Sequence, residues 1–450
     1  LVPPGGVCQH ALVTAALELP RRRPPAQRVL PRRIFYGWWI TLGCGILLFV
    51  GVGVGFYILG ILLDPLQSEH GWSNGAVSGA SGLYFAVNGV ANAVMGPRID
   101  RHGPMAFMVA GVLGLGGCLV AVGHLTALWQ LYLVYPLMGI AFAAAANVSV
   151  NSILTRWWIH RRARAMSVSF SFVSMGGALF APLGTSLIHQ GGIRLATLVL
   201  GLSVIGIGLP VVLLVLVWDP AQMGLAADDG HVPTRPVPGM GDQYRLWTRS
   251  EALHTVALWA MLIGFPLVML SQVGFLTHQV AFLSRRFDSD TIGSLAIATS
   301  AVGSAVARLV VGTFADGVDK RRLTVTLIGI QAATVYGLVV LDNLVVDFGL
   351  VLVFGFTMGN IFMLQSLLVG EIFGLRSFGS IFGLLTATAQ IAAGAGPVLI
   401  GYLEQRSGSY SLPLVVTATL TLLGGLAITW ARPEAVPPPI TSERPAARSG

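Results

Sequence analysis

A single cation interrupts the apolar segment from Ile292 to Asp316, IGSLAIATSAVGSAVARLVVGTFAD: Arg308. At about 1.5 Å rise per residue it lies roughly 12 Å from the polar end at Asp316, near the middle of a ~30 Å hydrocarbon core. A charge there costs a few kcal/mol on insertion scales, so it must face a watery cavity, a counter-ion or an anionic ligand. Ser300, Ser304 and Arg308 recur at every fourth position, which puts two hydroxyls and the guanidinium on one helix face, and Gly312 continues the stripe. The spacing reads as a pore face. A guanidinium is a rigid fork that grips a carboxylate through two charge-assisted hydrogen bonds and stays protonated at ordinary pH. The chemistry predicted is anion recognition; the competing reading is an arginine that pairs with a neighbouring carboxylate or carbonyl only to fix packing.

Composition sets the kind of element that must hold such a group. The 450 residues are 54% hydrophobic and 10% charged, with mean hydropathy +0.76, values outside the ordinary soluble class. Lys and Arg number 27 against 19 Asp and Glu, a net charge of +8. In so apolar a chain this excess points to membrane topology, not to nucleic acid. Cys8, Cys44 and Cys118 have neither CxxC nor metal spacing, so no disulfide framework, metal or cofactor is expected. No nucleophile elbow, paired catalytic constellation or nucleotide loop occurs, which argues against an enzyme and against an ATP-driven pump.

Apolar segments near the 20-residue spanning length fall at roughly 38–63, 76–97, 105–123, 128–153, 164–188 and 194–217. Six more lie at 254–284, 291–315, 323–341, 346–374, 378–403 and 411–431. The expected organisation is a disordered cytoplasmic tail over 1–35, a six-helix bundle over 36–218, a mobile cytoplasmic linker over 219–253, a second bundle over 254–431 and a tail over 432–450. With the N-terminus inside, every Lys and Arg falls on the inner side except Arg308 within its span and Arg194, Arg285, Arg286 and Arg406 outside. The expectation is a multi-pass protein of the plasma (inner) membrane with both termini cytoplasmic.

An internal repeat supports two halves. Gly96 and Asp100 close the second helix of one half, and Gly312 and Asp316 close the second helix of the other, both as G-x-x-x-D. The first copy continues through Arg101 to Gly103. Glycine lets the helix end approach a neighbour, and the carboxylate accepts hydrogen bonds from a facing helix N-terminus. These six residues read as a conformational latch.

At these residues the chain resembles the major facilitator superfamily, whose loop between helices 2 and 3 has the pattern G-x-x-x-D-R-x-G. The second copy departs from it, with Gly317 for the arginine and Asp319 for the glycine, so the weaker latch is expected there; Lys320, Arg321 and Arg322 are positioned to supply the missing charge. A narrower likeness runs from Tyr36 to Leu412. Tyr36-Gly37-Trp38-Trp39, Gly71-Trp72-Ser73, Arg156-Trp157-Trp158, Arg308 before G-x-x-x-D, and Gly379-Ser380-Ile381-Phe382-Gly383 look like monocarboxylate and oxalate/formate-type transporters. The resemblance implies an all-α integral membrane protein of twelve transmembrane helices in two pseudo-symmetric six-helix bundles. It also implies alternating access around a central site for small carboxylates, with a proton or counter-anion as coupling partner, and it matches Arg308 to the helix-8 arginine that pairs with the substrate. Three positions depart from the finer pattern. Ser304 stands where proton-coupled members commonly have Asp or Asn, no lysine occurs around Tyr57 and Ile58 in the first helix, and the eleventh helix lacks the lysine of an oxalate/formate exchanger. One cation favours a monoanion.

Further candidates for substrate contact are Asn147 and Asn151 on helix 4, the phenol of Tyr57, and His278 near the outer end of helix 7. Each has a bland alternative: amides join membrane helices, aromatics anchor at interfaces, and a helix-end histidine bonds a carbonyl. Glu371 reads as a partner for loop arginines. The leading expectation is a carrier of a small organic anion, in contact with the bilayer and with no nucleic acid partner. The alternatives are an exporter of drug-like or amphipathic molecules and a membrane sensor.

Overall fold

The computed structural model describes residues 24–28, 31, 34–55, 57–230 and 247–432. Among them the chain is helix and connection, with no strand. Its apolar segments are hydrophobic all round, which in a helix demands cover on every side from lipid or from other helices. Among the described residues ten helices are long and apolar enough to cross a membrane. One of these, Arg162–Val215, is two spans joined at Gly191 and Gly192, where φ of −152° and then +71° breaks the rod. The 29-residue helix Asn74–His102 completes twelve; Asn88, Asn92 and its charged end make it less apolar than the rest.

In chain order these are α1 (Tyr36–Ile61), α2 (Asn74–His102), α3 (Met105–Val122), α4 (Leu128–Trp157), α5 (162–190) and α6 (193–215). The second set is α7 (Val256–Phe287), α8 (Asp290–Phe314), α9 (Lys320–Val340), α10 (Leu344–Phe373), α11 (Phe378–Ser407) and α12 (Ser411–Ile428). Side-chain caps start several of them. Ser73 accepts from Ala76 N, Thr255 from Leu258 N, and Asn343 from Val345 N and Val346 N, satisfying donors that the first turn leaves free.

Close helix approaches repeat between the halves. A Cβ on Gly53 of α1 would lie 2.9 Å from the Cα of Gly176 on α5, and one on Gly274 of α7 would lie 2.9 Å from the carbonyl oxygen of Gly396 on α11. In the same way Gly139 of α4 meets the backbone of Tyr84 on α2, and Gly355 of α10 meets that of Ser300 on α8. Small residues at these crossings let backbones touch where lipid supplies no hydrophobic drive for association. Large apolar side chains on the outside, such as Val302, Val306 and Leu309 of α8, are left exposed, as a lipid-facing surface requires.

The halves meet along two seams, α2 against α11 and α5 against α8. Both are shut at the face that carries Arg98, Arg156, Arg164 and Arg376, called the basic face below.

Over the residues described, the connection between the halves is anchored at both ends. Residues 219–230 dock on the α4–α5 turn, and 247–253 dock on the second half, where Trp247 is buried against Phe373. The physical reason is a set of anchors that composition does not advertise: a buried tryptophan and a buried carboxylate inside a polar stretch. Residues 231–246 lie outside the described residues, as do nearly all of the tails expected over 1–35 and 432–450.

Candidate functional site

Arg308 lies at the α5–α8 seam and is 8% exposed. Its Nε donates to the carbonyl of Gly359 on α10 at 2.9 Å, and its Nη1 donates to Ser174 Oγ on α5 at 2.6 Å. One guanidinium therefore touches both halves. The hydroxyl of Ser167, on the first turns of α5, donates to the Arg308 carbonyl oxygen. Tyr57 lies over Gly177 of α5 and within electrostatic reach of Arg308. Among the described residues no Asp or Glu pairs with Arg308. Its two direct partners are neutral acceptors, which leave most of a buried cation's field uncompensated.

The stripe of Ser300 and Ser304 is placed differently from the pore face that its spacing suggests. Ser300 Oγ donates to Gln279 Oε1 at 3.1 Å, and its backbone lies against Gly355. Ser304 faces Gly359, where an added Cβ would lie 2.7 Å from its hydroxyl oxygen. Both serines are buried between α8 and α10, so four-residue spacing correctly puts them on one face, and that face is turned to a neighbouring helix. The lower part of the stripe, Arg308 and Gly312, reaches the other half; a Cβ on Gly312 would clash with both the Cβ and the Oγ of Ser167.

Asn147 closes a five-residue π-turn, Ala143–Asn147, in the middle of α4, a distortion that recurs at functional sites. Its carbonyl accepts from Asn151 Nδ2 at 2.8 Å, and Asn151 Oδ1 is buried without a partner. His278 sits apart from this group: its Nε2 is 3.0 Å from the Pro397 carbonyl of α11 and its Nδ1 is 3.4 Å from the Tyr410 hydroxyl. It ties α7 to α11 within one half.

Four residues of this region lie outside the sequence reading: Ser167, Ser174, Phe170 and Phe362. Phe170 of α5 lies one turn nearer the basic face than Ser174, and its ring is 5.8 Å from that of Phe362 on α10. Phe362 in turn lies 6.4 Å from Phe382 of α11. This aromatic chain crosses the seam on the basic side of Arg308, and it would close the path to a solute held by the guanidinium. The signal for Ser174 was present: Ser167, Ser171 and Ser174 share one face of an otherwise apolar helix.

The latch residues come together as two reciprocal caps. Asp100 accepts from Gly379 N at 2.8 Å, Ser380 N at 2.7 Å and Ser380 Oγ at 2.7 Å, all at the start of α11. Gly96 makes the approach, since a Cβ there would lie 2.1 Å from the Gly379 carbonyl oxygen. Gly103, with φ of +78°, turns the chain beside Trp218, and Arg101 is exposed. At the second seam Asp316 accepts from Ala163 N at 2.7 Å and Arg164 N at 3.1 Å at the start of α5. Of the three cations expected to assist it, Lys320 does so, donating to the Asp316 carbonyl at 3.1 Å and lying 3.6 Å from Glu371. Arg321 turns to the Thr429 carbonyl, and Arg322 lies near Asp319.

Two six-helix bundles, shut against each other at one face by carboxylate-to-helix caps around a buried cation, define a polytopic solute carrier. A family model described as Major Facilitator Superfamily matches residues 45–397 and again 280–449; the chain belongs to that superfamily and is a transporter. It is 26% identical over 365 residues to monocarboxylate transporter 13 of Bos taurus, covering 78% of this chain and 80% of that one. It is 23% identical over 387 residues to the probable sulfoacetate transporter SauU of Cupriavidus necator, covering 80% and 86%. In fold it is similar to the crystal structure of the transporter FucP in the outward conformation, with a TM-score of 0.67 at 14% identity, over 87% of this chain and 98% of that one.

Proposed function

We propose that this transporter carries a small organic monoanion, a monocarboxylate, whose carboxylate is received by Arg308. The observation that carries the reading is the buried guanidinium without a carboxylate partner among the described residues. An anionic substrate supplies the missing charge, and it gains the full strength of a charge-assisted, forked contact because the site is already dehydrated. A single cation suits one negative charge, and the Phe170 and Phe362 rings offer an apolar surface to the rest of a small acid. A relative named for monocarboxylate transport fits this class, and one named for sulfoacetate, a dianion, shares with it the single carboxylate. Ser174, already bonded to the guanidinium, and Tyr57 are the polar candidates beside Arg308 to complete the site, with Asn147 offered by the α4 distortion, whereas Ser300 and Ser304 support it from behind by holding α8 on α10.

The basic face is the cytoplasmic one in this reading, with both termini inside and the protein in the plasma membrane. Binding on the opposite side brings the halves together over the solute, and release to the cytoplasm follows when the Asp100 and Asp316 caps part and the aromatic chain separates. Flux is driven by gradients, with a proton or a counter-anion as the coupling partner.

The test is uptake of labelled small carboxylates into proteoliposomes, with and without an imposed pH gradient. Arg308→Ala is expected to lower uptake by about a hundredfold, the scale of losing a buried charge pair. Arg308→Lys keeps the charge and loses the fork, so a deficit of about tenfold is expected. No carboxylate uptake by correctly folded wild-type protein would sink the proposal and turn attention to amphipathic substrates.

A further inference from the structure

The turn between α4 and α5 presents a run of backbone N–H groups that no helix satisfies. Two carboxylates take them. Asp228, in the connection that follows α6, accepts from Ile159 N at 2.8 Å, His160 N at 2.7 Å and Arg161 N at 3.3 Å. The next two donors in the same run, Ala163 N and Arg164 N, go to Asp316 from the other half. One carboxylate belongs to the same half as the turn and stays with it; the other must leave whenever the basic face opens.

The connection is built to deliver Asp228. Asp219 pairs with Arg156 at 3.0 Å and caps the short turn at Pro220 through Ala221 N, while Arg156 lies 4.3 Å over the ring of Trp218. Asp228 and Asp229 then adopt left-handed backbone angles, with φ of +52° and +59°. Such angles are unfavourable for residues with a side chain, although aspartate bears them better than most. The Asp228 residue is 1% exposed while its neighbour Asp229 is exposed. A local backbone cost and a buried charge are both accepted to bring one carboxylate to three N–H groups.

The run of donors leads straight into α5, the helix that Arg308 and Asp316 contact. Its first turn holds Asp316, its second turn places Ser167 on the Arg308 carbonyl, and Ser174 meets the guanidinium two turns further on. Where that first turn sits decides whether Asp316 finds its donors. We propose that Asp228 is a positioning residue of the α5–α8 latch: the connection between the halves presets the receptor into which Asp316 docks, and so sets the balance between the closed and open states of the basic face. This does not depend on which solute is carried.

The experiment uses Leu367 of α10 as a reporter. Leu367 is 2% exposed and belongs to the buried cluster in which residues of the first half join Val311, Ala315 and Leu364 of the second, so it is expected to gain exposure when the basic face opens. Leu367→Cys is placed in a full-length chain with Cys8, Cys44 and Cys118 replaced by Ala, and labelling by a membrane-impermeant maleimide is timed from the basic face. Asp228→Ala is expected to raise the labelling rate about fivefold, a typical coupling between distant sites. Asp228→Asn, which keeps one acceptor oxygen, is expected to fall between Ala and wild type. In an Asp316→Ala background, Asp228→Ala is expected to add nothing, because the receptor it presets no longer has an occupant. An unchanged labelling rate in monodisperse protein overturns the proposal, as does an equal rise with and without Asp316. If the Ala variant does not yield monodisperse protein, the Asn variant decides alone, with a rise of about twofold expected and no change overturning the inference.

Discussion

At the end of α2, Asp100 holds two backbone N–H groups and a hydroxyl of α11, and Gly96 lets the two backbones touch. At the end of α8, Asp316 holds two N–H groups of α5, without a hydroxyl, and Gly312 faces the side chain of Ser167, its Cβ and hydroxyl, in place of backbone. The two corners occupy equivalent places in a duplicated fold, yet they are not equally tight. Beyond the carboxylate caps, the α2–α11 seam adds a hydrogen bond between Gln390 and Asn88, and the α5–α8 seam adds two at the buried charge, Ser167 to the Arg308 carbonyl and Arg308 to Ser174. The difference separates two tasks. On the function proposed above, the first corner fixes how the halves register, and the second, with fewer bonds to its carboxylate and joined to Arg308 through one helix, is placed to feel whether a solute is bound.

That comparison is sharpest at the carboxylates. Asp100→Ala leaves three donors without their charged acceptor and is expected to cost the closed state about 3 kcal/mol, roughly a hundredfold in the closed-to-open ratio. Asp316→Ala loses two such bonds and is expected to cost about 2 kcal/mol, near thirtyfold. Double electron–electron resonance between labels on the basic ends of the two halves reads both populations. Equal shifts would break the asymmetry, and a larger shift for Asp316 would reverse it.

The glycines extend the same test with a smaller effect. In Gly96→Ala the new methyl meets backbone, the Gly379 carbonyl, which cannot rotate away, so the seam must part at a cost of about 2 kcal/mol. In Gly312→Ala the new methyl meets both the Cβ and the hydroxyl of Ser167, so pairing it with Ser167→Gly, which removes both atoms, is expected to restore the closed population, whereas Ser167→Ala is not. A Gly312→Ala defect that survives Ser167→Gly would show that backbone contact matters at the second seam too.

Much of this was legible before any coordinates. Spans of apolar residues must be helices in a membrane, and a lone arginine among them cannot hide, so the twelve helices and Arg308 follow from solvation alone. The latch was legible because its chemistry repeats in the chain. What periodicity could not supply was the identity of a neighbour. Ser300 and Ser304 share a face as expected, but whether that face meets a cavity or α10 depends on the register of two helices far apart in sequence. Ser174 was unremarked for the same reason, since a serine in a membrane helix more often bonds its own backbone, as Ser171 does here to Ser167. Asp228 lay in a stretch whose composition announces only a connection; its partners are in a turn 68 residues away.

The smallest expected effect lies in the middle of the α2–α11 seam. Asn88 Nδ2 donates to the Gly139 carbonyl at 3.0 Å, and Asn88 Oδ1 accepts from both Asn92 at 3.2 Å and Gln390 at 3.1 Å. Gln390→Ala removes the only one of these bonds that joins the halves, but Asn92 still satisfies the Asn88 oxygen. No polar group of Asn88 is therefore left orphaned. Hydrogen bonds between membrane helices average about 0.6 kcal/mol, so the closed-to-open ratio should move by less than about threefold. Asn88→Ala should exceed it, because the Gly139 carbonyl and the Asn92 amide both lose a partner. If Gln390→Ala instead matches Asp100→Ala in the same resonance measurement, the strength of the first seam resides at its centre, and the carboxylate cap only trims its end.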